Sequence, residues 1–280
     1  MNKKACAAIL LLITVLNACT SLKPISDAAA KSQKSLAVFE ELPTTYTGFC
    51  EERCQFTLVR KSEIKRDSTR GCDCKLFTAA DRATVKVYNA INAYFKSLGA
   101  LSKGDLTTYD TKALSEALTE GQFASLTIDK KTVTAYSSLG RLLLQVFTDS
   151  YRKKKLSTVI ETGNEPLQTL LSVFGTSIGN LVSELEFQKE RNYALYAELI
   201  LSEGSAYEKL TLSNNYYNEI TRLKQKQEQL RTFAKSLVAI GKGHQNLYEN
   251  RNKLTSKEIR ELMADYSASL QDLIVDFNKL

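Results

Sequence analysis

The sequence predicts an all-α protein, an elongated bundle of long antiparallel helices with a disulfide-pinned N-terminal segment. Three prolines occur among 280 residues, and only Pro166 lies beyond position 43. This scarcity favours long helices, because a proline inside a helix removes a hydrogen bond and clashes with the preceding turn. Apolar residues also recur at spacings of three and four, the period of an amphipathic helix. The composition, 43% hydrophobic and 25% charged, is typical of a folded soluble domain.

The first half of the chain predicts short elements around a cysteine-bearing segment. Residues 21–42 are rich in alanine and lysine, and we expect a tether that passes into a first helix, which Pro43 ends. The cysteine-bearing segment, 46–77, contains the charged stretch 60–67, which is typical of an exposed loop. Three further elements should follow: a helix from Thr78, a short helix at about 111–120, and a loop or one brief strand at 121–128.

Two long helices are expected next. Asp129 can cap the first, and the turn Thr162-Gly163-Asn164 should end it, since glycine and asparagine tolerate the backbone of a helix terminus. The second begins at Pro166 and runs to about Glu203, with apolar residues at spacings of 3, 1, 3 and 4. At 1.5 Å per residue it would form a rod of about 60 Å.

The last two helices have different signals. The segment from Ser205 to about Ile240 drifts toward heptad spacing and is the most coiled-coil-like part of the chain. Gly241-Lys242-Gly243 should loosen or break it. A capping box, Thr255-Ser256-Lys257-Glu258, then starts the final helix.

The N-terminus has the pattern of an export signal. Met1-Asn2-Lys3-Lys4 carries positive charge and precedes an apolar stretch, Ala5 to Ala18. That stretch is about 14 residues long, the size of a signal-peptide core and too short for a spanning helix. We therefore expect a targeting segment and no transmembrane anchor.

Leu16-Asn17-Ala18-Cys19 resembles the lipobox of bacterial lipoproteins. The resemblance implies a diacylglyceryl group on the Cys19 thiol, cleavage between Ala18 and Cys19, and acylation (palmitate) that anchors the protein stably. Thr20 stands where an aspartate would, by the same resemblance, retain the protein in the inner membrane. The implied destination is the outer membrane, facing the periplasm, if the host has two membranes. The resulting division is a signal peptide, 1–18, a lipidated tether and first helix, 19–45, and a helical bundle, 46–280.

Export also affects the interpretation of the cysteines. Cys50, Cys54, Cys72 and Cys74 remain after Cys6 is removed and Cys19 is lipidated, and in an oxidising compartment they predict two disulfides. Zinc binding and redox activity stay open as alternatives, although zinc ligand pairs usually have two or more intervening residues. A bond from Cys72 to Cys74 would close a strained ring, whereas cysteines four apart share a helix face. We expect Cys54 to Cys72 and Cys50 to Cys74, the nested pairing.

No constellation of residues predicts catalysis, a cofactor or a metal. The single histidine, His244, is expected in a solvated turn, and one histidine excludes His-rich metal sites. Carboxylates on the predicted rod are typical of a salt-bridged polar face; they are Glu184, Glu186, Glu190 and Glu198. The precursor charge of +7 falls to about +5 without Lys3 and Lys4, and such a mild excess on an exported protein does not favour nucleic acid.

Two surface features have functional interpretations. Five tyrosines on two neighbouring helices could form an exposed patch for a protein or glycan partner, although tyrosines also fill bundle edges; they are Tyr193, Tyr196, Tyr207, Tyr216 and Tyr217. The basic run Arg152 to Lys155 suits a solvated helix face or contact with anionic lipid headgroups.

We therefore expect a lipid-anchored cell-envelope protein with an interaction or structural role, no enzyme activity, and as partners the membrane and an envelope protein. The alternative is a lipoprotein that binds a small molecule or glycan in a cleft between helices. A concave pocket with converging polar groups would favour that alternative, whereas an exposed aromatic strip would favour the first.

Overall fold

A computed structural model describes residues 22–60, 72–103, 116–146, 152–202 and 204–280. The prediction of a helical bundle is confirmed: long helices pack against one another around a continuous apolar core. The α-helices are α1 (Lys23–Ala37), α2 (Tyr46–Arg60), α3 (Lys75–Lys103), α4 (Lys130–Val146), α5 (Arg152–Leu201), α6 (Ala206–Glu249) and α7 (Lys257–Lys279). Two 3₁₀ turns, Val38–Glu41 and Arg251–Lys253, follow α1 and α6.

A small antiparallel hairpin lies between α3 and α4. Its strands are β1 (Gly121–Phe123) and β2 (Leu126–Ile128), and Gly121 pairs with Ile128. Ala124 in the turn has a φ of 50°, the left-handed conformation that tight hairpins need. The sequence did not decide between a loop and one brief strand here, because strands of three residues are too short to show a clear alternation of apolar and polar residues.

Helix α1 packs inside the bundle. Ile25, Ala28, Ala29 and Leu36 are buried, and the helix contacts α3 and α7. The segment that we expected to lead from a tether into the bundle is thus already part of the core from its first helical residues.

Two breaks expected from the sequence do not occur. Helix α5 continues through Thr162-Gly163-Asn164 and Pro166, and α6 continues through Gly241-Lys242-Gly243. Contacts between the two helices hold them at these points: Asn164 Nδ2 donates to Gln245 Oε1 at 3.0 Å, and Gln168 Nε2 donates to the Gly241 carbonyl at 2.8 Å. Tertiary packing outweighs the local cost of proline and glycine here.

Gly163 and Gly243 serve close packing instead of chain reversal. A Cβ at Gly163 would lie 2.6 Å from the ring of Tyr94, and one at Gly243 would overlap the ring of Tyr266. Gly175 and Gly179 of α5 differ from these two, since no described atom lies within 4 Å of a Cβ built at either residue.

Helix starts follow the expected capping chemistry. Ser205 and Glu208 form a capping box at α6, in which Ser205 Oγ accepts from the Glu208 amide at 3.2 Å. At α7 the cap is Ser256, one residue after the expected Thr255, and it accepts from the Ile259 amide. Each cap satisfies an amide that has no partner within the helix.

Three pairs of packed helices, α1 with α3, α3 with α5, and α5 with α6, run antiparallel, as several contacts show. On α1 and α3, Ala29 lies beside Gly99, while Glu40 beyond α1 accepts from Tyr88 at 2.9 Å. Helix α5 runs antiparallel to α3, since Ser177 contacts Thr84 near one end, while the Val159 carbonyl oxygen lies 3.4 Å from the Tyr94 hydroxyl near the other. It also runs against α6, with Val182 bonded to Gln227 and Asn164 to Gln245.

Five helix termini consequently meet at one end of the molecule, which we name the N-terminal end of the bundle. It contains the start of α1 at Lys23, the end of α3 at Lys103, the start of α5 at Arg152, the end of α6 at Glu249 and the start of α7 at Lys257. Arg251 closes this end by bonding Glu161 at 2.9 Å. From here the 50 residues of α5 reach about 75 Å to Leu201.

Candidate interaction site

The opposite end of the molecule is a two-helix hairpin with little support. Along α5 the last buried residue is Asn192, and along α6 the next one is Leu223. No described residue among 193–222 is buried, and we name this stretch the hairpin tip. The shorter α3 and α7 bury their apolar faces elsewhere in the bundle, and of the other described helices α2 reaches only the base of the tip.

Large apolar side chains at the hairpin tip are open to solvent. Leu201 is 84% exposed, Tyr207 77% and Tyr217 67%, and Tyr193 and Leu210 are also exposed. Exposed side chains of this size cost free energy that burial in a partner would recover, at roughly 25 cal/mol per Å². Concentration of several of them at one place marks an interaction surface more strongly than scattered ones would.

Four of the five tyrosines singled out in the sequence form one cluster. The Tyr216 ring centroid lies 5.6 Å from that of Tyr196, 6.3 Å from Tyr193 and 5.3 Å from Tyr217. They surround an apolar cavity of about 310 Å³ that Leu201 also lines. Burial raises the pKa of the Tyr196 phenol, and nearby Glu219 raises it further.

Tyr207 lies apart from that cluster. It lines a second cavity of about 370 Å³ on the hairpin tip, together with Leu199 and Leu212. The sequence analysis treated the five tyrosines as one patch, whereas the structure divides them between two cavities.

A polar cleft lies at the base of the hairpin tip and extends into it, between α2, α5 and α6. Its volume is about 460 Å³, and its lining combines amides, charged groups and aromatic rings; the amides are Gln55, Gln188, Asn192, Asn215 and Asn218. Spacing within any one helix cannot indicate this cleft, because three segments distant in sequence build it.

The floor of the cleft is electrostatically paired. Glu52 accepts from Lys226 at 2.9 Å and from Gln188 Nε2 at 3.1 Å, and Arg222 lies 3.6 Å away. Burial alone would raise the pKa of Glu52, but the hydrogen bonds from Lys226 and Gln188 hold it below its ordinary value. The carboxylate is thus ionised and neutralised at neutral pH.

One acceptor in the cleft has no partner. Gln188 is 8% exposed, and its Oε1 is buried without a hydrogen bond to any described residue. Asn192, one turn further along α5, is 4% exposed. Buried amide oxygens are nearly always satisfied, so an orphaned one at a cleft indicates a place for a water or a ligand donor.

Two disulfides fix the helix that forms one wall of this cleft. Cys50 bonds Cys74, with Cα atoms 5.9 Å apart, and Cys54 bonds Cys72, with Cα atoms 6.1 Å apart. The nested pairing is the expected one, and it arises as argued, from two cysteines one turn apart on α2 facing the segment before α3. Because all four thiols are bonded, the zinc alternative does not hold.

His244 does not lie in a solvated turn. It is fully buried within α6, where Nε2 meets the Tyr94 hydroxyl at 2.6 Å and Nδ1 meets Asn164 Oδ1 at 2.9 Å. Burial lowers its pKa to about 3 and raises that of Tyr94, so Tyr94 donates to the neutral ring and the ring donates to Asn164. The expectation failed because the glycines around His244 suggested a turn where the helix continues.

The remaining predicted positions have plain surroundings. Glu186 pairs with Lys189 at 2.8 Å, in agreement with a salt-bridged helix face, and its pKa is lowered by hydrogen bonds from Lys189 and Gln227. Arg152 begins α5. Cys19 and residues 61–71, which include most of the charged stretch predicted to be a loop, lie outside the described residues.

Comparisons with protein families, with curated proteins and with solved structures find no match for this chain. In the described ranges no helix is long and apolar enough to cross a membrane. The same residues contain no group of three or more His, Cys, Asp or Glu side chains placed to hold a metal ion.

Proposed function

We propose that this chain is a lipid-anchored protein of the bacterial cell envelope with an interaction or structural role and no catalytic activity. Its helical bundle would carry a protein-binding surface at the hairpin tip, away from the membrane. The observation that carries the proposal is the group of exposed aromatic and aliphatic side chains at the hairpin tip, opposite the N-terminal end of the bundle.

The length of chain before α1 sets the orientation. Leu22 follows Cys19 by three positions, and a fully extended chain spans about 11 Å over that distance. A lipid on Cys19 would therefore hold the N-terminal end of the bundle against the bilayer, and α5 would place Leu201 about 75 Å from it. Lipidation at Cys19 follows from the lipobox resemblance, and the destination it implies is the outer membrane.

The chemistry of the hairpin tip favours a protein partner. Tyrosine is enriched in protein interfaces because it offers a large apolar face and a polar hydroxyl at low entropic cost. Acidic Glu198 and Glu208 lie among the exposed aromatic residues, and they would oppose an anionic bilayer. A partner with a complementary apolar surface fits this mixture best.

Photocrosslinking in intact cells tests the tip. A photoreactive residue at Tyr207 or at Tyr217 should give a discrete protein adduct, because both side chains are exposed at the tip. The matched control is Val238, which is 59% exposed on the same helix but far from the tip. Adducts of equal yield from all three positions, or none from the two tyrosines, would contradict the proposal.

The anchor is tested separately. Cys19→Ala should leave an unprocessed precursor or release the protein from the membrane fraction, because the thiol that takes the lipid is missing. Labelling with a palmitate analogue should disappear with it. If the variant is cleaved and fractionates as the parent does, the lipobox interpretation is wrong, whatever the hairpin tip binds.

The orphaned Gln188 Oε1 favours a second candidate function, the binding of a small neutral glycan in the polar cleft. Amides there can exchange hydrogen bonds with sugar hydroxyls, and Phe56 and Tyr196 provide rings for a sugar face. Pairing of Glu52 with Lys226 leaves little net charge to attract an ionic ligand.

Calorimetric titration with N-acetylglucosamine oligomers and a soluble peptidoglycan fragment tests this candidate. Binding should weaken by about tenfold in Asn192→Ala, which removes one buried hydrogen-bonding group. Asn214→Ala, exposed on α6 outside the cleft lining, is the matched control and should bind normally. Absence of binding by the parent, or equal loss in both variants, would reject the cleft as a glycan site.

A further inference from the structure

We infer that the N-terminal end of the bundle is an electrostatic docking surface for anionic phospholipid headgroups. The inference deepens the proposed function, on which it rests only for the position of the lipid anchor. Its own basis is an asymmetry of charge along the molecule.

The fold brings distant basic residues to one end. Those within about two turns of the N-terminal end are Lys23, Lys96, Lys103, Arg152, Lys153, Lys154, Lys155, Lys242, Arg251, Lys253, Lys257 and Arg260. Described acidic residues in the same zone are Asp27, Glu161, Glu249, Glu258 and Glu261. Among the described residues, basic ones therefore outnumber acidic ones there by more than two to one.

The other end of the molecule has no such excess. In the hairpin tip the described acidic residues are Glu198, Glu208 and Glu219, against Lys209 and Arg222. Charge is thus segregated along the long axis, with the positive pole at the end where the chain emerges toward Cys19. A mild overall charge of +7 in the precursor conceals this separation.

Basic side chains at the N-terminal end are accessible. Lys103, Lys253 and Lys257 are exposed, and among the described residues the one ion pair that these three form is long, from Lys257 to Glu261 at 3.5 Å. Both partners of that pair are more than half exposed, so solvent and salt screen it strongly. Headgroup phosphates can therefore compete for these ammonium groups.

Geometry makes a bilayer the fitting occupant. Five termini of the described helices lie at this end, so the basic groups come from five segments at a similar level along the axis. A flat, multivalent anionic surface can meet all of them together, whereas a small anion would engage only one or two. A lipid on Cys19, within about 11 Å of α1, would hold the same end at that surface.

Two weak attractions would then act together. One lipid group alone gives reversible membrane binding, and a polybasic patch supplies a second contribution. Each lysine close to an anionic membrane strengthens binding about fivefold, an effect that falls with ionic strength. The consequence is a bundle that stands on the bilayer with its hairpin tip directed away, rather than one that lies flat along it.

Vesicle cosedimentation of the unlipidated mature chain, with Cys19→Ser and both disulfides intact, tests the inference. The protein should sediment with phosphatidylcholine vesicles that contain phosphatidylglycerol, should be released by salt, and should ignore pure phosphatidylcholine. The triple variant Lys103→Glu, Lys253→Glu, Lys257→Glu should bind at least about thirtyfold more weakly.

The matched control reverses three exposed lysines elsewhere, Lys131, Lys224 and Lys235, and so has the same net charge. It should retain most of the binding, and circular dichroism should show both variants folded. Equal loss in the two variants would mean that net charge, not the N-terminal end, governs binding, and no binding by the parent would overturn the inference outright. Because the assay uses no lipidated protein, failure of the lipobox proposal would leave its result interpretable.

Discussion

The buried histidine allows a sharp prediction about pH. His244 is the single histidine of the chain, and in the folded state burial keeps it neutral, with a pKa of about 3 against an ordinary value of 6.5. Its fixed partners are Tyr94 and Asn164, and neither is charged. Between pH 7 and pH 5 the unfolded chain therefore takes up a proton at this ring that the folded chain does not.

The sign and size of the effect follow from this difference. A histidine whose pKa is lowered by folding contributes stability that is present above pH 6.5 and is lost as the pH falls toward the folded pKa. From pH 7 to pH 5 the expected loss in the free energy of unfolding is about 2 kcal/mol. Carboxylates contribute little in this range, because their unfolded pKa values lie below 5.

Urea denaturation followed by circular dichroism, at half-unit steps from pH 7 to pH 5, measures this slope. In His244→Gln the slope should nearly vanish, although the variant is less stable at every pH. In Tyr94→Phe, which retains the histidine and the ring, the slope should remain. The carbon chemical shifts of the single imidazole should also remain those of a neutral ring at pH 5. A parent whose stability is flat over this range, or an imidazole that titrates near 6.5, would refute the buried neutral ring.

Three further predictions concern stability and helix content. The double variant Cys54→Ala, Cys72→Ala should lower the free energy of unfolding by about 3 kcal/mol, since the bridge closes a loop with a sequence separation of 18; chemical denaturation measures this, and an unchanged midpoint would contradict it. Gly243→Ala should lower the free energy of unfolding by about 1–3 kcal/mol, because the added Cβ would overlap the ring of Tyr266. Gly179→Ala, with open space around it, should raise the free energy of unfolding by up to about 1 kcal/mol. Thermal melts should therefore shift in opposite directions for the two variants, and a shift in the same direction would contradict this. Far-ultraviolet circular dichroism of the chain from Thr20 should indicate at least about 60% helix, and a strand-dominated spectrum would refute the bundle.

Periodicity predicted the helices well where the chain is amphipathic, and it failed at their interruptions. The stretch after Pro166 reads as a helix because one face must be apolar, but the same rule cannot say whether Gly163 or Gly243 ends a helix. That outcome depends on Tyr94 and Tyr266, rings from other helices that occupy the space a side chain would need. The disulfide pairing could be predicted from the sequence because it depends on local geometry. Loop closure and the spacing of cysteines on a helix restrict four cysteines to few pairings.

Spacing also could not separate the exposed apolar residues of the hairpin tip from the core. Leu210, Tyr217 and Leu223 repeat along α6 as residues of one buried stripe would, yet Leu223 alone is buried. The difference comes from helix length: α5 has 50 residues and α6 has 44, whereas α3 has 29 and α7 has 23. Where only two helices continue, they can bury the narrow stripe between them and nothing else. Apolar residues on the outer faces of such a hairpin gain nothing from folding, and recognition of a partner is the role that would account for them.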